Sequence, residues 1–314
     1  MKSDTKSVEI VDQDNNKLVV NVNGKQKELY GTFHEKFKQI LMLAESGIAV
    51  YLAGPAGTGK NVICKQVAEA LDLEFYFTNA VTQEYKLTGF IDANGVYQET
   101  QFYKAFKYGG LFFLDEMDAS IPEVLVILNA ALANGYFDFP NGKLDAHPDF
   151  RVIAAGNTYG SGATMEYTGR YQLDAASMDR FAVVEVWYSP RIEKSIAGGD
   201  EELLDFIRSF RAFTTENGIN TLASYRSIDR ITKLEGKMPL SEILKISLLK
   251  GLSKDDITMI QKGLDPQNRF VQAMMTEKVP EEFDEEYYEE LSEDYYDNIR
   301  NEDLRNLANK RRMI

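Results

Sequence analysis

An α/β fold with a parallel five-stranded sheet and a helical C-terminal region is what this sequence predicts, on three observations. Short apolar runs alternate with helical patterns between residues 48 and 187, the spacing that builds a parallel sheet covered on both faces. A glycine-rich turn, Gly54 to Asn61, joins the first of those runs to a helical pattern over 62–71. After Ser189-Pro190 the apolar periodicity turns helical, over 201–216, 224–236, 240–251 and 254–263.

The elements follow in order. Residues 8–11 and 18–22 flank Asp14, Asn15 and Asn16, the pattern of a β-hairpin. Residues 33–45 read as a helix leading into the first core strand, 48–53. Residues 73–77, 109–114, 150–155 and 182–187 supply the second to fifth strands. Asn94-Gly95 and Asn141-Gly142 are strong tight-turn signals. They predict surface hairpins over 90–97 and 136–144. The resulting division is an N-terminal extension (1–30), an α/β domain (31–190) that holds the candidate nucleotide-binding turn, a helical lid (191–275) and an acidic tail (276–314). No tandem repeat is evident.

The chemistry sits where the strands end. In Gly54-Pro55-Ala56-Gly57-Thr58-Gly59-Lys60-Asn61, followed by Val62, the glycines let the backbone wrap an anion. The helix that starts there adds its positive end, and Lys60 reaches the β- and γ-phosphates of a nucleotide. Asn61 stands where a Ser or Thr hydroxyl is usual for holding Mg²⁺; its amide oxygen is a hard but longer ligand. The third strand ends in Asp115-Glu116. Asp115 is placed to hold Mg²⁺ and Glu116 to activate an attacking water. The bland alternative is an acidic N-cap, with Asp118 opening the next helix before Ile121-Pro122. Asn157, after the fourth strand, is a candidate for holding that water, or a plain turn residue. Arg180 is a candidate arginine finger for a neighbouring subunit, or half of a surface pair with Asp179. Arg226 is placed to reach the γ-phosphate from the lid.

With these residues in view, the chain resembles the AAA+ ATPases, a class of P-loop NTPase, and more narrowly the MoxR-like and CobS-like branch with the dynein-related AAA module. GPAGTGKN (54–61), LFFLDEMD (111–118), the loop into the fourth strand (137–157), ASMDRF (176–181) and ASYRS (223–227) carry the resemblance, which spans about residues 30–265. It implies an ATPase working as a ring, usually a hexamer, with ATP and Mg²⁺ bound between subunits. It places Asn157 at the first sensor, Arg180 at the finger and Arg226 at the second sensor, and implies that the two hairpins face the pore or a client. It further implies a remodelled protein partner, such as one with a von Willebrand factor A-type domain. The alternatives are a nucleic-acid-directed motor, with Lys86 or Lys143 lining the pore, and a weakly hydrolysing scaffold on account of Asn61.

Composition fits a cytoplasmic machine. Cys64 is the sole cysteine of 314 residues, which excludes an internal disulfide and fits a reducing compartment. With two histidines a His/Cys zinc site is not expected. No signal peptide or membrane-length apolar stretch is seen. Net charge is −14, but ten acids and no Lys or Arg fall between Glu281 and Asp297. The globular part shows no strongly basic stripe of the kind that marks a nucleic-acid binder. Tyr287, Tyr288, Leu291, Tyr295 and Tyr296 recur in that acidic segment at helical spacing. It is either a solvated tail or a docking helix for a basic partner, the basic stretch Arg305 to Arg312 included.

Overall fold

The computed structural model describes residues 9–13, 17–22, 25–164 and 167–276. The turn expected at 14–16 and the acidic tail lie outside the described residues. The N-terminal extension is a three-stranded antiparallel sheet rather than a hairpin: β1 (Glu9–Gln13), β2 (Lys17–Val22) and β3 (Lys25–Tyr30) pair in that order. Helix α1 (Phe37–Glu45) follows, then β4 (Val50–Ala53), α2 (Lys60–Leu71) and β5 (Phe75–Thr78). A short α3 (Tyr85–Thr88) leads to the hairpin β6 (Phe90–Ile91) and β7 (Tyr97–Gln98). Then come α4 (Gln101–Tyr108), β8 (Gly110–Leu114) and α5 (Pro122–Asn134). The second hairpin, β9 (Tyr136–Phe139) and β10 (Gly142–Asp145), precedes β11 (Phe150–Gly156), α6 (Ala175–Met178) and β12 (Ala182–Glu185).

The central sheet is wholly parallel, ordered β12-β4-β11-β8-β5. That order does most to position the site. β4, β11 and β8 lie side by side although far apart in sequence. Ala53 pairs with Gly156, and Ala154 with Leu114. The turns after these strands, beginning at Gly54, Asn157 and Asp115, therefore emerge at one edge. Every side chain of β4 and β8 is buried, as a central parallel strand requires. One apolar layer joins α1, α2 and the N-terminal strands to the sheet through Phe37, Ile40, Leu52, Ile63 and Phe113. The other packs α4 and α5 against it through Tyr51, Phe102, Phe106, Phe112 and Leu128.

After Ser189 the chain is helical: α7 (Pro190–Ile196), α8 (Glu201–Glu216), α9 (Tyr225–Leu234), α10 (Leu240–Leu244) running into a π turn through Leu249, α11 (Lys254–Gly263) and α12 (Arg269–Thr276). Ser189 caps α7 at the Ile192 N–H, with Pro190 at the first helical position. These helices bury a third apolar cluster around Phe206, Phe210, Ile228, Ile243 and Phe270. No helix among the described residues is long and apolar enough to cross a membrane.

Candidate nucleotide site

The glycine-rich turn is shaped by what crowds it. A side chain at Gly54 would fall 2.1 Å from the Val186 carbonyl oxygen, and one at Gly57 would fall 2.6 Å from Ser224 Cβ, with φ there at +75°. Only glycine meets both demands. The turn is therefore clamped between the strand pair β4–β12 and the start of α9. Tyr188 Oη donates to the Ala56 carbonyl at 2.9 Å, and the Ala56 N–H donates to Tyr167 Oη at 3.1 Å. Helix α2 starts at Lys60 with no acidic residue in its first turn, so its positive end is left for an anion.

A cavity of about 400 Å³ opens in front of this turn. Ala56, Gly57, Thr58, Gly59, Lys60, Asn61 and Val62 line it, and so do Asp115, Glu116, Asn157 and Arg226. The structure thus brings together most of the predicted residues. Gly54 and Pro55 do not line this cavity but a neighbouring one of about 530 Å³; they meet the site through their carbonyls, which accept from Lys60 Nζ at 2.7 and 2.9 Å. Lys60 Nζ also donates to Asn157 Oδ1 at 3.1 Å, joining the β4 and β11 turns. Arg180 stands apart. It is exposed, donates to the Ala176 carbonyl and makes no ion pair with Asp179, so the expected alternative of a surface pair is not what the structure contains.

Two shifts in acidity mark the site. Burial pushes the Lys60 ammonium from its ordinary 10.5 to about 8, against the opposing pull of Asp115 and other carboxylates. Burial also raises the Asp115 carboxyl, despite a hydrogen bond from the Glu116 N–H and the nearby Lys60 and Arg226 charges. A lysine depressed in this way penalises the fold while charged, below pH 8, and the penalty is relieved as pH rises from 8 to 10.5. An anion in the cavity needs the charged form. Affinity for ADP measured by calorimetry without Mg²⁺ is therefore expected to hold between pH 6 and 7.5 and to fall about tenfold by pH 9, one unit above the lysine's transition. A flat profile to pH 9 would contradict it.

Sequence reasoning missed two groups. The first is Asp118, which does not cap α5. The backbone passes through Glu116 at φ 52° and a 3-10 turn, Met117–Ala119, and Ile121 is the residue that precedes α5. The turn swings Asp118 inward, fully buried. Its Oδ2 accepts from the N–H groups of Asn157 and Thr158, both at 2.9 Å, and from Thr158 Oγ1 at 3.0 Å. Asp118 thus fixes the turn on which Asn157 sits. The second group is the far end of the cavity, lined by Thr32, His34, Ile63, Ile192 and Ile196. These come from three separate segments that no local motif connects. His34 Nδ1 accepts from the Lys36 N–H at 3.0 Å, which assigns the ring proton to Nε2, donating to the Trp187 carbonyl at 2.8 Å.

Asp115 and Asn61 both line the cavity and can each offer an oxygen ligand. Few protein oxygens with positions left for water and phosphate is the donor set that suits Mg²⁺, so the residues present fit the ion.

Residues 49–181 match the family model described as the AAA domain, dynein-related subfamily. No curated protein matches the chain. Among solved structures, NtrX from Brucella abortus in complex with ADP is similar at 15% identity and a TM-score of 0.45, over 78% of this chain and 63% of that one. Another NtrX structure from Brucella abortus is similar at 18% identity and a TM-score of 0.44, over 63% of this chain and 50% of that one. The RuvB Holliday junction branch migration motor of Thermotoga maritima is similar at 18% identity and a TM-score of 0.43, over 77% and 68%. The chain spans about half to two thirds of the length of these proteins. The match to the dynein-related AAA domain thus spans β4 to β11 of the parallel sheet.

Proposed function

We propose that this chain is a ring-forming AAA+ ATPase of the MoxR-like and CobS-like branch, which hydrolyses ATP to remodel a protein partner. The observation that supports it most is the single cavity joining the glycine-rich turn, Lys60, the paired acids Asp115 and Glu116, Asn157 and Arg226. In this reading the apolar end formed by Ile63, Ile192 and Ile196 takes the adenine, and the turn and Lys60 take the phosphates. Mg²⁺, held by Asp115 and Asn61, would neutralise phosphate charge. Glu116 accepts the proton of the attacking water, Asn157 holds that water at the tip of β11, and Arg226 meets the γ-phosphate from the lid. Residues 31–190 then act as the nucleotide domain and 191–275 as its lid.

Arg180 supports the ring. It lies exposed and outside the cavity of its own chain, so a role in transition-state neutralisation requires a second copy. The first hairpin supports a protein client, of the von Willebrand factor A type that the branch implies: Phe90, Ile91 and Val96 are all exposed there, an apolar tip suited to a polypeptide rather than to phosphates. Mixing Arg180→Ala with Lys60→Ala subunits tests the ring. Each variant alone should be nearly inactive in phosphate release. The mixture should recover activity, because some interfaces then pair an intact Lys60 with an intact Arg180. Full activity of Arg180→Ala alone, or of the wild type when diluted to a monomer, would contradict it.

A further inference from the structure

We propose that Arg170 is a positioning residue for hydrolysis: it ties the Glu116 carboxylate to the turn that carries Asn157. The proposal rests on the reading of Glu116 as the base. The Arg170 side chain is only 12% exposed and bridges two carboxylates. Nη2 meets Glu116 Oε1 at 3.3 Å and Nη1 meets Asp118 Oδ1 at 3.3 Å. The other oxygen of Asp118 holds the N–H groups of Asn157 and Thr158. One guanidinium thus links the tips of β8 and β11 through a continuous chain of charge-assisted bonds.

The segment carrying Arg170 is itself held in register. The Tyr171 N–H donates to the Asp118 carbonyl at 2.7 Å and the Leu173 N–H to the Gly160 carbonyl at 2.8 Å. Asp174 then caps α6, which leads to Arg180. Arg170 provides the only polar contact of the Glu116 carboxylate among the described residues. Glu116 has backbone φ 52°, a costly conformation for a non-glycine residue that persists only where the surroundings hold it. Removing the guanidinium would leave the carboxylate on a fixed backbone but free to rotate. A base misplaced by about 1 Å can lose a hundredfold in rate.

Arg170 also neutralises the buried Asp118, so Arg170→Ala risks unfolding the region. Arg170→Lys is the informative variant. It keeps a positive charge near Asp118, but a single ammonium lacks the planar fork that spans two carboxylates. The expected result is a thermal midpoint close to wild type, a nucleotide Kd within about threefold, and a single-turnover hydrolysis rate lowered roughly 10–100-fold. In a Glu116→Gln background, Arg170→Lys should lower the residual rate no further, because its effect passes through Glu116. An unchanged rate in Arg170→Lys would overturn the proposal. So would an equal further loss in the Glu116→Gln background, which would show that Arg170 acts independently. A wild-type rate in Glu116→Gln alone would instead remove the base assignment, a failure distinguishable from the other two.

Discussion

Asp118→Ala is expected to lower stability by about 3–5 kcal/mol, the cost of breaking a buried ion pair from one side, with a drop in thermal midpoint on the order of 10 °C. Asp118 is fully buried and accepts three hydrogen bonds from the Asn157–Thr158 turn while it pairs with Arg170. Alanine leaves two backbone N–H groups and a hydroxyl without their acceptor, and Arg170 with Glu116 alone. Gly156 just before that turn offers no room for a larger rescue: a Cβ there would lie 1.9 Å from Tyr51 Oη and 2.9 Å from Asp118 Cγ. Asp118→Asn keeps the shape and should recover part of the loss. Thermal unfolding followed by circular dichroism measures both. A midpoint for Asp118→Ala within 2 °C or so of wild type would refute the role given to this carboxylate.

Lys60→Ala is expected to weaken nucleotide binding by roughly 30-fold to several-thousand-fold, since truncating one partner of a desolvated charge pair costs roughly 2–5 kcal/mol. Lys60 Nζ, 8% exposed as a residue, is the cation at the mouth of α2. Its bonds to the Gly54 and Pro55 carbonyls and to Asn157 Oδ1 set its position within the turn. The fold should tolerate the change, because among the described residues no carboxylate lies at ion-pair distance from it; its partners are two carbonyls and the Asn157 amide oxygen. Calorimetric titration with ADP, beside a melting curve to confirm folding, tests this. Retained affinity in a folded variant would mean that the cavity takes its ligand elsewhere.

The five core strands were legible because each is a short apolar run set off by turn residues, and burial on both faces demands such runs. The glycine-rich turn was legible because its crowding by Val186 and Ser224 leaves glycine no substitute. β3, KQKELY, was not, since charged residues fill it, Leu29 is its buried apolar residue, and backbone pairing to β2 holds it. Asp118 misled because an Asp ahead of Ile121-Pro122 carries the same local signature as a helix cap. A single left-handed residue, Glu116, turned it inward instead. Arg170 had no local signal at all. Its place depends on a fold-back in which Ser161 bridges to Gln172 and the Tyr171 N–H reaches the Asp118 carbonyl beyond β8. His34, Ile192 and Ile196 likewise meet only once the helices after Ser189 close against the sheet.

Steady-state phosphate release from ATP and Mg²⁺, for the wild type and for Glu116→Gln side by side, tests the central claim that this cavity hydrolyses a nucleotide with Glu116 as the base. General-base catalysis contributes roughly 10²–10⁴-fold. The wild type should therefore release phosphate at a rate that Glu116→Gln lowers by about that factor, while both proteins bind ATP with similar affinity. Equal rates in the two proteins, or no release above buffer from a wild type that binds ATP in an assembled ring, would contradict it.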